Sequence, residues 1–118
     1  MTPKEMAKLV VQTLEDRKAT DIKVINIEKI SALADYFIIA SGSNHSQVQA
    51  MADHVEEALG RLGAEPKSIE GYRAANWILM DYGDIILHIF DEENLLFYHI
   101  ERIWRDGTPE SLKEEEQQ

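Results

Sequence analysis

The fourteen residues from Trp77 to Phe90, WILMDYGDIILHIF, constrain the fold more than any other stretch. Asp81-Tyr82-Gly83-Asp84 has the make-up of a tight hairpin turn with Gly83 at positive φ, and the flanking runs alternate as strands do. A two-residue turn there predicts Met80 opposite Ile85, Leu79 opposite Ile86, Ile78 opposite Leu87 and Trp77 opposite His88. One face then gathers Ile78, Met80, Ile85, Leu87 and Ile89, with no polar group, and belongs to the core. The other gathers Trp77, Leu79, Asp81, Asp84, Ile86, His88 and Phe90. Two readings of that mixed face stand side by side. Helices cover it, as they usually cover both sides of an α/β sheet, and the aspartates lie at the solvated turn. Alternatively, part of it stays open for docking, the aromatic supplying buried area and the carboxylates selecting a basic partner. Alternation alone does not choose between them, and a one-residue slip would exchange the faces.

The rest of the chain supplies helices and strands to pack against this hairpin. Thr2-Pro3-Lys4-Glu5 is a capping box with proline at the first helical position, and Met6, Leu9, Val10, Thr13 and Leu14 follow at helical spacing. A helix is predicted from Pro3 to about Arg17. DIKVINI (Asp21–Ile27) and YFIIASG (Tyr36–Gly42) read as strands, the second apolar enough to be covered on both sides. EKISALAD between them is a connector with room for one helical turn. From Asn44 the period becomes helical: Val48, Met51, Ala52, Val55, Leu59 and Leu62 mark one face, Asn44 and Gln47 form a capping pair, and Gly63 ends the run. PKSIEGY suits a short edge strand, and EENLLFYHIERIW a last helix. The reading is one α/β domain over residues 1–105, a mixed sheet of about five strands with flanking helices. Residues 106–118 form an acidic tail with too little apolar surface to order itself.

Charge and composition exclude several classes. Among 118 residues, 22 acidic against 12 basic give a formal net charge of −10, which opposes loose binding to phosphate backbones and favours a basic partner. Sequence-specific nucleic-acid binding is not expected. No cysteine is present, so disulfides, thiolate metal sites and cysteine nucleophiles are excluded. No segment approaches the roughly 20 apolar residues of a membrane span, and the N-terminus lacks a signal-peptide core, so a cytoplasmic location is expected.

Candidate chemistry is thin. SGSN (Ser41–Asn44), between a strand and a helix, invites an anion, because free N–H groups at a helix start attract one. It lacks the lysine of a Walker loop and the spaced glycines of a dinucleotide fingerprint. The turn from Ser41 to Ser46 also resembles the Gly-Ser entry of nucleotidyltransferases, which makes a nucleotide-dependent transferase the alternative function. That chemistry needs two metal-binding carboxylates alternating on the next strand, whereas Asp53, Glu56 and Glu57 lie on the helix. His45 and His54 fall on opposite sides of that helix, and neither H-E-x-x-H nor G-x-S-x-G occurs. His88 is placed beside Trp77 as a stacking partner. No catalytic group, metal or cofactor is expected.

The ordered motifs DYFIIASGSNHSQVQAMAD (Asp35–Asp53), Gly71, WILMDYGDIILHIF and FYHIERIW resemble the ribosomal silencing factor, or Iojap, family over about Pro3 to Arg105. The resemblance implies a nucleotidyltransferase-like fold without the catalytic carboxylates. It implies a translation repressor that binds a basic protein of the large ribosomal subunit, the fourteenth in the standard naming, and blocks joining of the small subunit when nutrients are scarce. Carried over by position, it implies partner contacts at Trp77, Asp81, Tyr82, Asp84 and His88, and secondary ones at Tyr36, Ser41 and Gln47. Asp35 also falls on the family pattern. In one departure, Leu95 and Leu96 stand where members often carry arginine before the terminal aromatic pair, which suits a drier junction such as a homodimer seam.

Overall fold

The structure, a computed structural model, describes residues 1–92 and 108–109. The expected last helix, the Leu95–Leu96 junction and most of the tail lie outside the described residues. The first helix, α1 (Pro3–Asp16), begins with the capping box: the Thr2 hydroxyl accepts the Glu5 amide at 3.1 Å, and the Glu5 carboxylate accepts the Thr2 amide at 3.1 Å. Its buried stripe is Ala7, Val10, Val11 and Leu14. Strand β1 (Thr20–Asn26) pairs antiparallel with β2 (Tyr36–Gly42), and the intervening connector holds one uncontinued helical turn, closed by the Ser31 amide donating to the Ile27 carbonyl at 2.9 Å. Helix α2 (His45–Gly60) follows, capped by the Asn44 side chain, which accepts the Gln47 amide at 2.8 Å. Gly63, at φ +86°, ends it in the left-handed conformation. Leu62, expected on the core face, falls beyond the helix end and is 62% exposed.

Edge strand β3 (Ser68–Glu70) leads to the hairpin of β4 (Trp77–Asp81) and β5 (Ile85–Asp91). The sheet order is β3-β4-β5-β2-β1-β6, with β5 parallel to β2 and the other pairs antiparallel. β6 is only Thr108–Pro109, paired with β1 at Asn26 and Ile25. These two residues of the expected structureless tail therefore take part in the sheet.

The hairpin register differs from the expected one. The Tyr82 amide donates to the Ile85 carbonyl at 2.9 Å, so the two loop residues are Gly83 and Asp84, and Gly83 takes φ +87°. Trp77 pairs with Phe90 and Leu79 with His88. The shift is two residues, and because side chains alternate with period two every face assignment survives it. Ile78, Met80, Ile85, Leu87 and Ile89 are all fully buried, against α1 and α2, in the main core. A second cluster, on the other side of the sheet, contains Ile25, Ile27, Ala34, Ile39 and Phe90, with Phe37, Trp77 and Ile86 at its margin. No residue of either described helix belongs to it.

Candidate docking face

Strand register arranges the second face as a grid. One row runs Asp81, Ile86, Phe37, Ile25; the next Leu79, His88, Ile39, Lys23; the third Trp77, Phe90, Ser41. Glu70 lies beside Leu79 and Ser68 beside Asp81 on the edge strand. The inner positions Phe90, Ile39, Ile25 and His88 are buried, while Trp77, Leu79, Asp81, Ile86 and Phe37 are half-buried and Asp84, Glu70 and Ser68 exposed. The face is thus neither fully open nor sealed by the described helices: a buried apolar floor is bordered by a half-exposed aromatic and aliphatic column with carboxylates along it.

Within this grid the aromatic rings are ordered. Trp77 stacks on Phe90 at 5.7 Å and on His88 at 5.8 Å, and Phe37 meets His88 edge-on at 5.0 Å. The indole Nε1–H donates to His88 Nδ1 at 2.9 Å. Burial pushes the His88 imidazole down to about 4, so it is neutral at pH 7, and its Nε2 has no partner among the described residues. Asp81 accepts the Gly83 amide at 2.8 Å, which makes it a brace of the turn as well as a rim carboxylate. The Asp84 carbonyl accepts the amides of Asp35 at 2.8 Å and Tyr36 at 3.1 Å, tying the turn to β2. The Asp35 carboxyl is raised above its ordinary value by desolvation and then by Glu28 and Asp84, so negative charge accumulates at this end of the sheet.

Other sequence-derived candidates lie elsewhere. Tyr36, at 5% exposure, and Tyr82, at 8%, pack into the core on the helix side and do not line this face. Burial, aided by Glu56, pushes the Tyr82 phenol up to about 12. Ser41 is buried at the far end of the grid. Gln47 is a structural brace: its Oε1 accepts the Ser43 amide at 2.5 Å and the Ser43 hydroxyl at 2.6 Å, while its Nε2 donates to the Arg17 carbonyl at 3.2 Å. Phe37 and Glu70, which complete the face beside Ile86, are not legible as site residues. Their only signal is cross-strand register, which no single segment carries.

The strand-to-helix turn does not make a phosphate site. The amides of Ser43 and Gln47 are taken by side chains, and the hollow of about 420 Å³ there is bordered by Asp91 and Glu92. His45 Nε2 donates to Asp91 at 3.1 Å in the same hollow, where an incoming anion would meet two carboxylates. His54 instead donates through Nδ1 to the Ala50 carbonyl at 2.7 Å, so the two histidines do not converge. Among the described residues no cluster of three metal-ligating side chains forms, and no helix is long and apolar enough to cross a membrane.

Fold and site together define a single-domain α/β protein with a mixed sheet, both described helices on one side of it and an acid-edged aromatic face on the other. All 118 residues match the family described as ribosomal silencing factor during starvation. A ribosomal silencing factor from Halalkalibacterium halodurans is 34% identical over 113 residues, covering 96% of this chain and 97% of the relative. One from Zymomonas mobilis is 41% identical over 105 residues, covering 89% and 79%. A crystal structure of a Bacillus halodurans protein superposes with a TM-score of 0.83 at 33% identity, covering 91% of this chain and 97% of that one. The chain belongs to the ribosomal silencing factor family, a family of ribosome-associated regulators of translation.

Proposed function

We propose that this protein represses translation by docking its second sheet face onto a basic protein of the large ribosomal subunit, the fourteenth in the standard naming, and so blocking joining of the small subunit when nutrients are scarce. The observation that carries the reading is the half-buried column Trp77, Leu79, Asp81 with Glu70 alongside and Asp84 at its end. Trp77 and Leu79 offer apolar area that a partner can remove from water, and the carboxylates orient Lys and Arg while raising the encounter rate. A net charge of −10 adds long-range attraction to a basic surface. The mechanism is steric, acts in the cytoplasm where ribosomal subunits meet, and calls on no cofactor and no bond-making step.

The test is the light-scattering rise when purified small and large ribosomal subunits are mixed. Added protein is expected to slow it, and Trp77→Ala combined with Asp84→Lys to abolish the effect with an unchanged circular dichroism spectrum. Asp84 is the better charge to reverse, because Asp81 also braces the turn. Full inhibition by that folded double variant would remove this face from consideration.

A further inference from the structure

The Trp77 indole is the largest side chain at the margin of the face, and its polar atom is already engaged by its own sheet. Its Nε1–H donates to His88 Nδ1 at 2.9 Å, from strand β4 to the neighbouring β5. Since Nδ1 accepts, the imidazole proton resides on Nε2, which has no partner among the described residues. At 4% exposure, a histidine is a costly choice for this position if packing were its only duty, because an aliphatic residue would leave no N–H unsatisfied. Among the described residues, the one hydrogen bond its ring makes is the bond to Trp77.

We propose that His88 is the positioning residue of the docking face: its Nδ1 holds the Trp77 indole against Phe90, so that the anchor is ordered before a partner protein arrives. This rests on the docking reading above. Two consequences follow from the geometry. First, the rotamer freedom a half-exposed tryptophan would lose on binding is already lost in the free protein, which strengthens association. Second, with Nε1–H satisfied internally, Trp77 offers a partner only its π surface and apolar edge. It therefore selects an aliphatic or cationic side chain, arginine above all, and not a hydrogen-bond acceptor.

The experiment measures the affinity of labelled protein for purified bacterial large ribosomal subunits, with ¹H–¹⁵N spectra of the free protein alongside. His88→Phe keeps a ring and removes the acceptor; it is expected to weaken binding by about three- to tenfold. His88→Asn places an amide oxygen near the position of Nδ1 and is expected to restore affinity to within about twofold of the wild type. In a Trp77→Phe background, His88→Phe is expected to add nothing, since no indole N–H remains to be held. The chain has two tryptophans, and loss of one indole signal in Trp77→Phe assigns the resonance. That resonance is expected to move upfield and exchange faster with water in His88→Phe, and to return in His88→Asn. Wild-type affinity for His88→Phe while Trp77→Ala binds weakly would overturn the positioning role alone. Equal weakening by His88→Phe with and without the indole would also overturn it, by showing a general packing effect. Wild-type affinity for Trp77→Ala would overturn the docking face and this proposal together.

Discussion

A neutral imidazole buried beside an indole makes the stability of this domain depend on pH. His88 titrates near 4 in the folded protein because burial disfavours its charged form, against about 6.5 when unfolded. Between those values the unfolded chain binds more protons than the folded one, so stability is greatest above pH 6.5 and falls as pH drops toward 4. The full difference is about 3 kcal/mol. Carboxylates also titrate at the lower end of this range, so the comparison is with His88→Leu. Between pH 7 and 4 the wild type is expected to lose about 3 kcal/mol more than that variant, read from urea midpoints. Equal losses would show that His88 is not held neutral. That His88 sits beside Trp77 was legible from alternation; the hydrogen bond between them depends on a diagonal contact across strands whose register no local pattern supplies.

At the scale of elements, the position of β4 depends on the loop before it. Gly71 has φ +79°, and a Cβ there would lie 2.1 Å from the Trp77 carbonyl oxygen, far inside contact distance. The loop closes by the Ala75 amide donating to the Gly71 carbonyl at 2.9 Å, with the buried Ala75 itself at φ +55°. Two left-handed residues thus fall within the short loop that leads into β4. Gly71→Ala is expected to cost about 3 kcal/mol or more in urea unfolding, adding the left-handed penalty of about 1–2 kcal/mol to the clash. It is also expected to displace Trp77 and alter its fluorescence. A variant as stable as the wild type would show that the close approach is relaxed in solution. The helices were readable in advance through Thr2, Glu5 and Asn44, because caps are local chemistry. The hairpin turn lies one residue later than the sequence predicts, which shifts the pairing by two, because YGD accommodates more than one loop and only the Tyr82–Ile85 bond selects among them.

For the whole molecule the relevant quantities are net charge and the segregation of the two faces. Both described helices share one side of the sheet, so the second face is bordered by the carboxylates of Glu70, Asp81 and Asp84. Docking onto a basic surface should then combine a screened electrostatic part with an apolar part that salt leaves intact. Raising ionic strength from about 0.1 M to about 0.5 M is expected to reduce co-sedimentation with large subunits, because the screening length shrinks below the separation of rim charges from their partners. Trp77→Ala is expected to weaken it at every salt concentration. Salt-independent binding would argue against an acidic-on-basic contact.

Alternation and capping settled in the amino-acid sequence which residues of the hairpin share a face, where α1 and α2 begin, and that no cysteine or clustered lysine chemistry is on offer. These are properties of neighbours along the chain, and a two-residue register shift left them untouched. The tertiary structure alone decided which side of the sheet both helices would take and that Tyr36 and Tyr82 would be enclosed there. It also decided that Phe37, from β2, and Glu70, from β3, would join the face of Trp77. The physical reason is that a sheet face is assembled by hydrogen-bond register between segments, and register is a property of pairs that no segment possesses by itself.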